Sequence, residues 1–191
     1  MRRLFAFACV LALAFSAGVI TPAFAEDEAQ PETGTTTAAA KQPELGRYLL
    51  AKIARYRRET WRWEKLMRAP RSSFANAAAR SNDPEFRRAV LRMWRVKAAK
   101  RRRQASNPPR LRAWLCIKRY EASWDDPHPP YYGGLQMDLA FQRTYGPELL
   151  RQKGTADRWL PIEQMWVAER AYSSGRGFTP WPNTARSCGF L

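Results

Sequence analysis

Between residues 45 and 67 the apolar positions Leu45, Tyr48, Leu49, Ile53, Tyr56, Trp63 and Met67 recur mostly at three- and four-residue steps, with Arg and Lys between them. That spacing lines one face of a helix, and Pro70 ends it. A second stripe, Phe86, Val90, Met93 and Trp94, follows Asp83-Pro84-Glu85, which joins a capping acid, a proline suited to the first turn and a carboxylate at the positive end of the helix dipole. This helix runs to Lys100-Arg101-Arg102-Arg103, and Pro108-Pro109 opens a new unit. The pattern predicts a helical hairpin over residues 41–104.

Beyond residue 107 the elements shorten. Arg110 to Ala122 reads as a helix, and Asp125-Asp126-Pro127-His128-Pro129-Pro130 cannot continue it. Tyr131-Tyr132-Gly133-Gly134-Leu135-Gln136 is aromatic and then glycine-rich, which also breaks the helical pattern. Short helices are predicted around 138–145 and 161–174, and the closing segment from Trp181 to Gly189 reads as irregular. No internal repeat is present. The fold class predicted from the pattern is mainly α.

The N-terminus changes the setting. Arg2 and Arg3 precede an uncharged apolar run from Leu4 to Ile20, and Ala23-Phe24-Ala25 offers small residues at a cleavage site. Residues 1–25 are therefore expected to be a secretory signal peptide, cleaved after Ala25, with Cys9 lost alongside it. A membrane anchor would need ~18 to 20 apolar residues and a stop-transfer pattern, and acidic residues follow instead. Two cysteines, Cys116 and Cys188, remain in a chain bound for an oxidising compartment. One disulfide is the simplest reading and two buried thiols the alternative.

Charge divides the mature chain unevenly. Residues 26–40 form an acidic leader, expected to be flexible, with Glu26, Asp27, Glu28 and Glu32 among Thr, Ala, Pro and Gly. Residues 41–104 hold 20 Lys+Arg against 5 Asp+Glu, whereas residues 105–191 hold 11 against 8 and five of the eight tryptophans, so nearly all of the net +16 sits in the helical segment. Such a segment is a solvated basic face packed on the C-terminal domain, a tether to anionic wall polymers, or a nucleic-acid binder. Export argues against nucleic acid, and the first two readings are compatible. A single histidine, His128, set between prolines, offers neither metal site nor base, and no cofactor is expected.

Glu121 stands out on spacing alone. It lies within a third of a turn of Trp114 and Ile117, which places a carboxyl at the edge of an apolar stripe, where desolvation favours the protonated form that a general acid needs. A boundary glutamate paired with Lys118 or Arg119 explains the same position.

The run from Trp114-Leu115-Cys116 to Glu121-Ala122-Ser123-Trp124, then YYGGLQ at 131–136, Gln164 to Val167-Ala168-Glu169-Arg170, Gly175-Arg176-Gly177 and Trp181-Pro182 to Cys188 resembles the resuscitation-promoting factor and transglycosylase-like domains of actinobacteria, within the lysozyme superfamily. The resemblance covers about residues 111–190 and implies a mainly α, α+β lysozyme-like domain over 105–191, with one disulfide and with Tyr131 to Gln136 forming a short β-hairpin that lines a glycan cleft. It implies that Glu121 is the single catalytic acid, that Tyr132, Gly133, Gly134, Gln136, Trp124 and Ser123 lie on the substrate side, and that Tyr131 packs in the core. The chain departs from the family's pattern in placing Cys116 five residues before the acid and Ala140 near the place of a threonine.

Glycoside cleavage commonly uses two carboxylates. Asp125 and Asp126 sit in a proline-rich turn and Asp138 reads as a helix cap, so a one-acid route is expected. The function implied is an exported lytic transglycosylase acting on the MurNAc-GlcNAc bond of peptidoglycan. A hydrolytic muramidase, a non-catalytic wall-binding protein and a cationic membrane-active protein are the alternatives.

Overall fold

The computed structural model describes residues 35–73 and 77–191. The signal sequence, Cys9 and residues 26–34 of the acidic leader lie outside the described residues.

Helix α1, Thr35–Met67, starts earlier than the periodicity predicts, taking in residues 35–40 of the expected flexible leader. The Ala38-Ala39-Ala40 run accounts for this, alanine being the strongest helix former. A four-residue helix α2, Ala77–Arg80, precedes helix α3, Pro84–Ala105. Asp83 caps α3 as its sequence predicts, accepting from the Glu85 amide at 2.9 Å and the Phe86 amide at 3.2 Å.

The two long helices do not form an antiparallel hairpin. Arg87 reaches Gly46, Ile53 packs with Val90 and Trp94, and Arg101 binds Glu64, so positions advance together along both helices. Helices α1 and α3 therefore run parallel. The connection doubles back along α1 to allow it: the Trp61 indole donates to the Ser72 carbonyl at 2.9 Å, Arg71 covers the Trp61 ring, and Ala78 joins the cluster of Ile53 and Val90. Side-chain periodicity fixes which face is buried but carries no direction, which is why the pattern alone suggests the shorter connection.

Parallel packing brings the carboxyl ends of both long helices to the same place, where their last carbonyls lack intrahelical partners. Helix α7, Pro161–Ala171, supplies the donors: Arg170 Nη2 gives a 2.7 Å bond to the Leu66 carbonyl and Trp166 Nε1 a 2.7 Å bond to that of Ala105. Lys65 also pairs with Glu148 at 2.9 Å. The basic helices are thus a structural part of the C-terminal domain.

That domain comprises α4, Leu111–Tyr120; a two-stranded antiparallel sheet of β1, Tyr131–Tyr132, and β2, Met137–Asp138; α5, Leu139–Tyr145; α6, Pro147–Lys153; a 3-10 turn, Ala156–Arg158; α7; a π turn, Tyr172–Arg176; and α8, Pro182–Ser187. Its core centres on Trp114, fully buried, with ring centroids of Trp181 at 5.2 Å and Phe178 at 5.3 Å. Such aromatic contacts add about 0.5–1.5 kcal/mol each to the burial itself. Cys116 and Cys188 form a disulfide that joins α4 to the end of α8.

Three of these elements differ from expectation. The closing segment is helical rather than irregular, because Pro182 sits at the first position of α8, where its missing amide is no loss. Helix α6 likewise starts on Pro147 with Glu148 in its first turn, a helix-start signal that its shortness conceals. The predicted helix 161–174 is regular only to Ala171, after which Gly175, at φ 97°, turns the chain. Among the described residues no helix is long and apolar enough to cross a membrane.

Candidate functional site

Helix α4 owes its position to a carboxylate from another element. Arg110, which precedes it, makes no side-chain cap, and buried Glu169 of α7 replaces one: it accepts from the Arg110 amide at 2.7 Å, the Arg110 guanidinium at 2.7 Å and the Trp114 indole at 2.9 Å. Negative charge at a helix N-terminus is favourable, and here it also satisfies an otherwise orphaned amide. Glu169 stands in the motif read from the sequence, where no role fell to it.

At the other end of α4 stands Glu121, immediately after the last helical residue and half-buried. Its Oε1 accepts a 2.8 Å hydrogen bond from the Thr184 hydroxyl on α8. The Cys116–Cys188 bridge brings this pair together, since it ties α4 to α8 one turn beyond Thr184. Neither Lys118 nor Arg119 is paired with Glu121. Lys118 instead lies over the Trp124 ring, 5.8 Å from its centroid.

The α8 region also touches the glycine turn. Trp181 Nε1 donates to the Leu135 carbonyl at 2.7 Å, and Thr184 Oγ1 lies 3.4 Å from the Trp181 carbonyl, so Glu121 and the 133–136 turn share one support. Gly133 adopts φ 73°, and a Cβ there would meet the Gln164 amide at 2.6 Å; a Cβ on Gly134 would meet the Trp124 ring at 2.7 Å. Both glycines are therefore required by close packing. Gln164, fully buried, fixes the neighbouring loop by donating from Nε2 to the carbonyls of Trp124 at 2.7 Å and Ala156 at 2.8 Å.

The remaining candidates divide. Trp124 packs partly buried on the core, and Ser123 is exposed with its hydroxyl on Asp125. Gln136 Nε2 is turned inward, to Asp126 Oδ2 at 2.8 Å and the Gly133 carbonyl at 3.0 Å, leaving its carbonyl oxygen for other partners. The two tyrosines exchange the places expected of them: Tyr131 is 49% exposed, whereas Tyr132 packs against the core. Strand alternation sets this, since Tyr132 pairs with buried Met137 and Tyr131 with Asp138.

The other carboxylates are committed to structure. Asp138 caps α5, accepting from the Phe141 amide at 2.6 Å. The Ser123 hydroxyl holds Asp125 below the usual carboxylate range, and for Asp126 the hydrogen bond with His128, helped by Gln136, outweighs the opposing effect of burial and does the same. Both aspartates serve the turn that the proline-rich sequence announces.

No family model, curated protein or solved structure matches the chain.

Proposed function

We propose that residues 105–191 are a lysozyme-like, peptidoglycan-cleaving domain of an exported protein, with Glu121 as the single acid. The observation that carries this reading is the Glu121–Thr184 hydrogen bond. A carboxyl at a helix end, held on one oxygen by a hydroxyl and without a cation on either, is poised for proton transfer rather than for ion pairing.

Thr184 donates to Oε1, so the proton of the acid form sits on Oε2. Glu121 passes that proton to the oxygen joining N-acetylmuramic acid to N-acetylglucosamine, and the bond from the muramyl C1 to that oxygen breaks. The substrate's acetamido group stabilises the cationic carbon. The muramyl 6-hydroxyl then attacks C1 and returns its proton to Glu121, which leaves a 1,6-anhydro sugar and regenerates the acid. Asp125, Asp126 and Asp138 are occupied by local hydrogen bonds, which favours one acid over two. The exposed Tyr131 ring and the Gln136 carbonyl oxygen are the groups left to meet the glycan.

Digestion of purified peptidoglycan with product masses read by mass spectrometry tests the reading. Anhydromuropeptides are expected. Reducing ends would make the protein a muramidase, and retention on walls without cleavage would make it a non-catalytic wall binder.

A further inference from the structure

A cleft of about 500 Å³ opens between the end of α1 and helices α6 and α7, away from Glu121. That volume suits a small organic ligand. Five cations line it, Arg62, Lys65, Arg68, Lys153 and Arg170, against two carboxylates, and Leu66, Leu149 and Pro147 give it an apolar wall.

The carboxylates are already neutralised. Glu148 is bound by Lys65 at 2.9 Å, and Glu163 by Lys153 at 2.6 Å with Arg62 at 3.6 Å. Two guanidiniums remain. Arg170 is fixed by its bonds to the Tyr145 carbonyl at 2.8 Å and the Leu66 carbonyl at 2.7 Å, so it offers charge more than free donors. Burial, and then the nearby charge of Arg68, push Arg170 down to about 10, which leaves it a cation at neutral pH. Arg68 makes no side-chain hydrogen bond or ion pair among the described residues.

Arg68 also occupies a costly backbone position. It is the residue just past α1, at φ 52°, with the Ala69 amide bonded back to the Glu64 carbonyl. Glycine is the ordinary occupant of that left-handed site, and an unpaired arginine there exchanges backbone ease for a fork of donors at the mouth of the cleft. The carboxyl end of α1 contributes roughly half a negative charge, too little to offset two guanidiniums.

We infer that this cleft binds a phosphate group carried on a partly apolar molecule. Five cations against two carboxylates leave a formal +3, about +2.5 once the helix end is subtracted, which matches a phosphate monoester better than a monocarboxylate, and guanidinium forks suit phosphate oxygens. The apolar wall accounts for the organic substituent. The inference stands apart from the glycan reading, because none of its residues touches Glu121.

The full mature chain is titrated with hexyl phosphate, inorganic phosphate and hexanoate by calorimetry, with amide shifts locating the site. Hexyl phosphate is expected to bind saturably and more tightly than either of the others, shifting Arg68 and Leu149. Arg68→Gly should weaken that binding about tenfold or more, the scale of a lost charged hydrogen bond, while raising the melting temperature by relieving the backbone. Arg92→Gln, on the exposed side of α3, should leave binding unchanged. Equal binding by Arg68→Gly, equal weakening by Arg92→Gln, or hexanoate binding as tightly as hexyl phosphate would each overturn the phosphate site.

Discussion

Thr184 donates its hydroxyl hydrogen to Glu121 across 63 positions of chain, at 2.8 Å, from a helix anchored by the domain's disulfide. One covalent bond and one hydrogen bond therefore set the position of the carboxyl on which the proposed chemistry rests. Glu121→Gln keeps the shape of the side chain but can neither give nor take the proton, and loss of acid/base assistance costs about 10² to 10⁴ in rate. Cleavage of purified walls should fall at least that far while the melting temperature holds.

Thr184→Val separates positioning from acidity. Valine fills the same volume without the donor, so the carboxyl remains but loses its alignment. The expected result is a kcat lower by about ten- to a hundredfold, the scale of a hydrogen bond to a charged group, with KM little changed. A variant as active as the wild type would make the Thr184 contact structural only.

Replacing Cys116 and Cys188 by alanine should cost stability and activity together. The bridge spans 72 positions, and closing a loop of that length restricts the unfolded chain by about 4 kcal/mol in the entropy model. Thermal melting of the double variant measures that loss. Its kcat should resemble that of Thr184→Val, because α8 no longer holds the hydroxyl against Glu121.

What the sequence made legible follows from how local each signal is. The α3 cap, the α4 helix, the Cys116–Cys188 pair and most of the apolar stripes of α1 and α3 depend on neighbouring residues or simple parity and are present, although Tyr48 and Phe86, read into those stripes, stand exposed. Thr184, Glu169 and Gln164 depend on contacts 40 or more positions away, so no window of sequence displays their roles. The same limit explains the direction of α3 relative to α1. Only the contacts that Arg71, Ser72 and Ala78 make back along α1 decide it, and those positions carry no periodicity to read. The order of Tyr131 and Tyr132 was decided by pairing register, a single-residue matter that reverses every face when it shifts.

Glu64 should give the fold a pH dependence at acid. Burial by itself raises its carboxyl, yet hydrogen bonds from the Ser72 hydroxyl, the Ser72 amide at 2.8 Å and Arg101 at 2.9 Å outweigh that and hold it below its ordinary value. The unfolded chain thus takes up the proton first. The stabilisation is complete above the ordinary carboxylate range and is lost as pH falls through it toward the lower folded value. Glu64→Gln should cost about 1 to 3 kcal/mol at pH 7, where it leaves Arg101 without its anionic partner, and the gap between the two melting temperatures should close as pH falls below the ordinary carboxylate range. A constant gap between them at every pH would assign the loss to packing instead.

Wall association is the last expectation, and the docking of α1 and α3 dictates how it must be measured. Deleting residues 41–104 would strip Arg170 of the Leu66 carbonyl and remove the helix that presents the Ala105 carbonyl to Trp166, so weaker retention by a truncated chain could reflect a damaged domain. Substitution avoids this. Arg92, Arg95, Lys100 and Arg103 are exposed on α3, and changing all four to Gln removes charge without touching the Glu64 or Ala105 contacts. Attraction between exposed charges fades as the screening length falls from about 10 Å at 0.1 M salt to about 3 Å at 1 M. The wild type should therefore elute from purified walls as salt rises, the fourfold variant at markedly lower salt, and Glu121→Gln together with the wild type. Elution of the fourfold variant at the wild-type salt concentration would leave the basic helices a packing unit whose charge serves solubility alone.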